Sequence, residues 1–547
     1  MKKPWLNSYD EEIPKSLGEL KSSVVDNLRR STEENPNHAA VIFKGKKITY
    51  RDVDEYSNSF ANALISMGVM RGDRIAIMLP NLPQTIISYY GILKAGGVVV
   101  NINSDSSKRE IEHIVTNSRA GMIISLKINI DRLQSIKERT GIKLILTDLR
   151  QFFPFKRKIY KEFLARISGY YRDVKFTGDI LSFWSLIRRS PSTPPNVKID
   201  LENNAVIQYT GGTTGISKGA VLTHGNISSN VEQVYLWFKN IIGKKDRVIA
   251  AAPYSHLYGM TMALDFPVRV GATILVLNRF TAKKIVNLAK DFSPTFFPAI
   301  PSMYRSIIHY LSFYSYDFSS IKLSMSASAP LSREVQEKFT SMTGIKVIEG
   351  FGLAEASGLT HINPLGGTER MGTIGLPLPD TDARIVDINT GKELDAGNPG
   401  ELIIKGPQLM NAYWDMPHET LDSFKNGMFY TGDIAVMDDE GFFTLVDRKK
   451  DIIFSGENRI YPREIEEVLL RHHLIVDAAA VGIPDKLKGE AVKVYLVLEE
   501  GKIITGEDII KYCKNNLASY KVPAEVEFLK ELMKTADGKI MKKEMTE

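Results

Sequence analysis

Short apolar runs alternate with longer amphipathic segments along the chain, separated by Gly, Pro, Asn and Asp. Arg74-Ile75-Ala76-Ile77-Met78-Leu79 has the unbroken apolar character of a buried strand. Residues 84–93 read as the helix that follows, and Gly97-Val98-Val99-Val100-Asn101 as the next strand. Strands alternating with helices predict βαβ units and a largely parallel sheet. The pattern returns as a strand over 273–277, a helix over 281–290 and a strand over 294–297. Two such blocks predict two α/β subdomains. Residues 372–446 are richer in strand signals, with Ala383-Arg384-Ile385-Val386 and Gly400-Glu401-Leu402-Ile403-Ile404 set between turn residues. Residues 448–547 mix short elements, including a helix over 462–470 and a strand over 492–498. Ser190-Pro191-Ser192-Thr193-Pro194-Pro195 is the clearest linker by composition.

Composition narrows this picture. A chain of 547 residues is too long for one small module. Its one cysteine, Cys513, excludes an intrachain disulfide framework and a Cys-based zinc site. The longest apolar stretch, residues 248–277, is interrupted by His256, Asp265, Pro267 and Arg269, so it predicts buried core and not a membrane span. No apolar segment follows the charged opening residues, and a cytoplasmic location is expected. The net charge is +6, and residues 150–175 alone carry that excess.

The most specific chemistry lies in Thr210-Gly211-Gly212-Thr213-Thr214-Gly215-Ile216-Ser217-Lys218-Gly219, between strands expected over 205–209 and 220–224. Glycines let backbone N–H groups approach an anion, threonines add hydroxyl donors and Lys218 adds a full charge. The loop has the composition of a phosphate cradle. It lacks the spacing of a Walker A loop, which also opens a helix. On composition alone a glycine-rich hairpin fits equally well.

Tyr209 to Gly219 resembles the signature loop of the adenylate-forming superfamily, which includes acyl-CoA synthetases, firefly luciferase and peptide-synthetase adenylation domains. Further motifs follow in that family's order along nearly the whole chain. Lys3-Pro4-Trp5-Leu6, Pro301-Ser302-Met303-Tyr304 and Gly375-Leu376-Pro377-Leu378-Pro379 are most similar to long-chain fatty acyl-CoA ligases. The resemblance implies a large N-terminal domain, residues 1–447, of two α/β subdomains and a distorted β-barrel. A small mobile α+β domain, residues 448–547, would follow.

It also implies site residues. Thr210, Gly211, Gly212, Thr213, Thr214, Gly215 and Lys218 would hold ATP phosphates. Glu349-Gly350-Phe351-Gly352-Leu353-Ala354-Glu355 would stack adenine on Phe351 and bind Mg²⁺ through Glu355, with Thr210 as a second metal ligand. Ala354 departs from the family's hydroxyl residue before that glutamate. Ser328, within Ser326-Ala327-Ser328-Ala329-Pro330, would line the adenine. Asp433 and Arg448 would hold the ribose or phosphate, and Lys450 would be the hinge. Ser455, Gly456 and Glu457 would meet CoA. Lys539 would stabilise charge during adenylation, although Met533 replaces the proline that usually opens its motif. His256, in Pro253-Tyr254-Ser255-His256, would orient the carboxylate, or serve simply as a core histidine.

The implied reaction has two steps. A fatty acid attacks the α-phosphate of ATP to give acyl-AMP and pyrophosphate, then CoA displaces AMP. ATP and CoA are co-substrates and Mg²⁺ is the expected cofactor. Two other readings stay open: an enzyme that passes acyl-AMP to a different acceptor, and a non-catalytic homologue that binds acyl chains or nucleotide. A homodimer is left open, and nucleic acid is not an expected partner. The stretch Phe152-Phe153-Pro154-Phe155-Lys156-Arg157-Lys158 fits either peripheral contact with an anionic membrane through residues 150–175 or a solvated insertion.

Overall fold

The computed structural model of the chain describes residues 3–153, 174–210, 217–314, 316–366, 368–455, 458–485, 489–534 and 540–545. Two large sheets dominate. The eight-stranded sheet runs in the order 412–413, 218–223, 204–210, 98–101, 74–78, 122–126, 143–147, 180–182. Its strands from Asn204–Thr210 to Ile180–Ser182 are mutually parallel, and Lys218–Thr223 and Ala412–Tyr413 continue it antiparallel. The central strand Val98–Asn101 is buried throughout, as expected where helices cover both faces. One of those helices, Pro83–Lys94, is buried on every side, which explains its weak amphipathic pattern in sequence.

The nine-stranded sheet has the order 376–377, 361–362, 347–351, 323–326, 296–299, 247–250, 273–276, 39–43, 46–49. From Val347–Phe351 to Ala39–Phe43 it is parallel. The expected βαβ units are present, with ends displaced by a residue or two: helix Ala282–Phe292 joins Thr273–Val276 to Phe296–Ala299. One boundary differs in kind. His224 was expected in a strand, but Thr223 caps the helix His224–Phe238 in a reciprocal bond pair with Asn226. The Ser190–Pro195 stretch is no domain boundary. It returns the chain from the edge of the eight-stranded sheet to its centre, pinned where Asn58 and Asn62 donate to the carbonyls of Pro191, Ser192 and Thr193.

A five-stranded antiparallel half-barrel follows, built from Asp382–Val386, Gly400–Lys405, Phe424–Lys425, Met428–Met437 and Phe443–Arg448. After a 3-10 turn at Lys449–Asp451, the small C-terminal domain forms its own five-stranded sheet with helices Pro462–Leu470 and Gly506–Asn516. Its core, centred on Ile465, Leu469, Val494 and Ile509, is separate from the large cores of the N-terminal domain. Among the described residues no helix is long and apolar enough to cross a membrane.

Candidate functional site

Parallel strands place the residues that follow them at one edge of the sheet, where open α/β sheets bind ligands. In the nine-stranded sheet that edge receives Pro253–His256 after Arg247–Ala250, Ala327–Pro330 after Leu323–Ser326, and Gly352–Glu355 after Val347–Phe351. The glycine loop leaves the neighbouring sheet at Thr210. Gln208, one turn of the pleat earlier, ties the two sheets: its Nε2 donates to the Ser255 carbonyl at 3.0 Å, and its Oε1 accepts from Asn101 at 3.0 Å.

Residues 211–216 lie outside the described part of the chain, so of the loop's phosphate-binding set only Thr210 and Lys218 are placed. They are register partners across the hairpin, and Ser217 Oγ donates to the Thr210 carbonyl at 2.6 Å. Lys218 Nζ stands 5.1 Å from the ring centroid of Tyr413. The Tyr413 hydroxyl donates to Glu355 Oε1 at 2.7 Å. Tyr413 is aligned by its own strand, pairing with Ala220 beside the loop. Burial, and then the Glu355 charge, push the Tyr413 phenol well above its ordinary range, so it stays a donor. Tyr413 was not among the residues expected from sequence. Its signal there is only an aromatic pair, Tyr413-Trp414, in a β-rich region.

Asp433 and Arg448 face each other in register across the antiparallel strands, with Arg448 Nε 3.0 Å from Asp433 Oδ1. Asp433 is buried, and its charge is the main reason that the Arg448 guanidinium is held above its ordinary value. Glu355 adds to the same field, which brings the two halves of the site within electrostatic reach. Lys450 lies in the next turn, 3.9 Å from Asp451, and burial lowers its pKa.

The third wall is polar and tight. Ser326 and Glu349 are register partners on adjacent strands. Ser328 adopts a left-handed φ of 75°, and the buried hydroxyls of Ser326 and Ser328 find no hydrogen-bond partner among the described residues. Donors and acceptors left open in this way suit the edge of a nucleobase. Glu349 accepts from the Leu331 N–H at 3.3 Å, and burial pushes its carboxyl up to about 7. A Cβ on Gly352 would overlap the Gly358 carbonyl, so that position requires glycine, whereas one on Gly350 would press on the end of the Met325 side chain. Phe351 is backed by His361, 6.0 Å away, whose burial keeps the imidazole neutral with a pKa of about 3. Ala354 opens the 3-10 turn that carries Glu355.

His256 caps the short helix Leu257–Met260, its Nδ1 accepting from the Tyr258 N–H at 3.3 Å. It sits at the site edge, followed by buried Leu257, Tyr258 and Met260. Ser455 is buried at the end of a strand in the C-terminal domain, while Gly456, Glu457 and Lys539 lie outside the described residues. One further contact crosses the Lys450 turn. Tyr461, before helix Pro462–Leu470, gives it no side-chain cap. Instead Asp447 Oδ2, on the half-barrel side, accepts from the Arg463 N–H at 2.7 Å.

As a test of fit for Mg²⁺, Glu355 and Thr210 offer a carboxylate and a hydroxyl, the hard oxygen donors that this ion prefers. No cluster of three or more metal-binding side chains accompanies them among the described residues. That donor set suits an ion held mainly by phosphate oxygens and water.

Comparison with known proteins gives the same outline. Residues 28–414 match the family model described as AMP-binding enzyme, and residues 464–539 match its C-terminal domain. The chain is 38% identical to the long-chain-fatty-acid–CoA ligase of Bacillus subtilis strain 168, over all of this chain and 98% of that protein. Among solved structures it is similar to ATP-bound MatB from Rhodopseudomonas palustris, at 25% identity and a TM-score of 0.85, covering 95% of this chain and 98% of that one. It is also similar to an anthranilate CoA ligase in complex with anthranoyl-AMP, at 26% identity and a TM-score of 0.84, covering 96% and 97%.

Proposed function

The chain belongs to the AMP-binding enzyme family of AMP-forming acid–thiol ligases, and from that premise we propose that its carboxylate substrate is a fatty acid. The observation that carries the ligase chemistry is the continuous line Lys218–Tyr413–Glu355, which links the base of the glycine loop to the carboxylate that faces it. The fatty acid is favoured by end-to-end similarity to a relative named for that substrate, and by the apolar run after His256.

In this reading Thr210, Gly211, Gly212, Thr213, Thr214, Gly215 and Lys218 bind the phosphates. Phe351 stacks on adenine, with Ser328, Glu349, Gly350, Gly352 and Ala354 around it, and Asp433 with Arg448 holds the ribose. Glu355 and Thr210 would hold Mg²⁺ together with the nucleotide, and the ion would supply charge neutralisation of the phosphates. Tyr413 holds the Glu355 carboxylate in place by hydrogen bonding. Lys539 stabilises the charge that develops as the carboxylate oxygen attacks the α-phosphate and pyrophosphate leaves. His256 orients the incoming carboxylate. Lys450 is the hinge about which residues 448–547 turn to bring Ser455, Gly456 and Glu457 to CoA, whose thiol then displaces AMP.

The test is AMP release from ATP and Mg²⁺ over a panel of carboxylates from acetate to oleate, including anthranilate, with CoA omitted in a parallel set. CoA-dependent AMP with an optimum among the longer chains is expected. An optimum on an aromatic acid overturns the substrate. AMP release on chain acids that does not depend on CoA overturns the thiol acceptor.

A further inference from the structure

The opening motif Lys3-Pro4-Trp5-Leu6 has no part in the chemistry above, yet Trp5 is buried. It lies in the 3-10 turn Pro4–Asn7, at the seam between the nine-stranded sheet and the half-barrel. The seam is a short stretch of main-chain pairing. The Ile374 N–H donates to the Phe443 carbonyl at 2.8 Å, and the Phe443 N–H donates to the Gly375 carbonyl at 3.0 Å. Gly375 precedes the edge strand Leu376–Pro377 of the nine-stranded sheet, and Phe443 opens the strand that ends at Arg448. The adenine wall and the ribose wall of the site are therefore joined here. Residues 3–10 hold both sides of the joint. On the half-barrel side, Ser8 Oγ donates to the Glu440 carbonyl at 2.7 Å, and Gly441, at a φ of +86°, leaves room for the Trp5 backbone where a Cβ would stand. On the sheet side, the Tyr9 hydroxyl donates to the Pro377 carbonyl at 2.5 Å, and Asp10 Oδ2 accepts from the Leu365 and Gly366 N–H groups at 2.8 and 2.9 Å.

From Trp5 a line of rings runs into the site. Trp5 packs edge-on against Phe443 with centroids 6.3 Å apart, Phe443 packs edge-on against His361 at 4.8 Å, and His361 lies 6.0 Å from Phe351. His361 and Phe351 are register partners on adjacent antiparallel strands, so the last step of the line is also a cross-strand pair. Both Trp5 and His361 are buried, and neither the Trp5 indole N–H nor His361 Nε2 finds a hydrogen-bond partner among the described residues. Burying a polar atom without a partner costs stability, so at these two positions the packing uses the rings for their shape. Interiors packed this closely pass a displacement at one ring to the next.

We propose that Trp5 is a positioning residue for the nucleotide: through Phe443 and His361 it sets the face of Phe351 on which adenine stacks, and it holds that face in place relative to Asp433 and Arg448. The inference rests on the nucleotide site of the proposed function. It does not depend on which acid is the substrate or on CoA as the acceptor.

The experiment is calorimetric titration of ATP into the full chain, with no acid or CoA present. It compares the parent with Trp5→Leu, Trp5→Phe, His361→Leu and Val53→Ala, and the Tm of each is recorded. Val53 is a buried residue of helix Tyr50–Ser66 and controls for lost packing elsewhere in the core. Trp5→Leu should bind ATP about five- to tenfold more weakly, the lower part of what one ring–base stack contributes. In the ligase assay its KM for ATP should rise by the same factor while the KM for the acid stays unchanged. Trp5→Phe, which restores a ring, should recover most of the loss. His361→Leu keeps an apolar side chain without the ring and should reproduce Trp5→Leu; it also reads the same line of rings if Trp5→Leu does not fold. The two changes combined should cost less than their sum, because both act on Phe351. Val53→Ala should lower the Tm and leave ATP binding as it is. A lowered Tm with unchanged ATP affinity in Trp5→Leu or His361→Leu makes the rings merely structural and overturns the proposal, as does a loss in Val53→Ala equal to that in Trp5→Leu. A parent that binds no ATP overturns the nucleotide site and the proposal with it. ATP binding that weakens as expected in a chain that activates no fatty acid supports the proposal and overturns only the substrate.

Discussion

Replacing Asp265 by asparagine tests the electrostatics of the large domain's core, at a residue outside the proposed chemistry. Asp265 ends a widened helical turn, Thr261–Asp265, and is 1% exposed. Tyr89 donates to its Oδ2 at 3.0 Å and Tyr90 to its Oδ1 at 3.1 Å. Burial raises its pKa from 3.8 to about 7, although both tyrosine bonds act in the other direction. Well below pH 3.8 the side chain is neutral whether the chain is folded or unfolded. As pH rises from there toward 7, the unfolded chain releases the proton while the folded chain keeps it, and the parent loses stability. Above 7 the loss levels off at about 4 kcal/mol. The asparagine side chain cannot ionise, so the Asp265→Asn variant keeps a nearly constant offset from its altered hydrogen bonding. Urea denaturation of both proteins at pH 5 and pH 8 reads the effect. The stability of Asp265→Asn relative to the parent should rise by about 2–3 kcal/mol between those two pH values. A relative stability that is flat or falls over that range would refute the account of a buried, proton-holding carboxyl.

Three other outcomes follow from the site. Tyr413→Phe removes a hydrogen bond to a carboxylate, worth about 1.5–3 kcal/mol, and should slow acyl-AMP formation by about tenfold or more while leaving the fold intact; unchanged pyrophosphate exchange would separate Tyr413 from Glu355. Gly352→Ala forces a methyl onto the Gly358 carbonyl and should cost about 3 kcal/mol or more, visible as a lowered Tm or insoluble protein. Asp447→Ala removes the cap that the half-barrel strand lends to helix Pro462–Leu470, worth about 0.5–2 kcal/mol. If Lys450 is the hinge, the rates of acyl-AMP formation and of thioester formation from supplied acyl-AMP should change unequally, and an equal change in both would count against it.

Much of this architecture could be read from local patterns, because its signals are local. The helix at Pro462–Leu470 ends where its amphipathic pattern ends, and Gly400–Lys405 is flanked by turn residues. The placement of Glu355, Asp433 and Arg448 came from motif resemblance, since Thr-Gly-Asp alone marks only a turn. Tyr413 and Asp447 were not legible, for one physical reason. Each acts on a residue distant in sequence: 58 positions separate Tyr413 from Glu355, and 16 separate Asp447 from Arg463. Nothing near Tyr413 marks it as a hydrogen-bond donor. It becomes one because the strand Ala412–Tyr413 is added beside Lys218–Thr223.

Asp265 lies in a stretch expected to be buried core, and it is buried, but its partners could not be read from the sequence. In the sequence it counts among the charges that interrupt the apolar run 248–277 and so argues against a membrane span. The absence of a long apolar helix among the described residues agrees with that conclusion, but the residue is not a polar break in the fold. It lies in the core, where Tyr89 and Tyr90 of the fully buried helix Pro83–Lys94 supply its hydrogen bonds. A carboxyl among apolar neighbours therefore carries two opposite readings, surface loop or buried pair. Its own neighbours in sequence cannot choose between them. The choice is made by another helix, itself recognisable only as apolar on all faces, which presents two adjacent tyrosines to the same carboxyl.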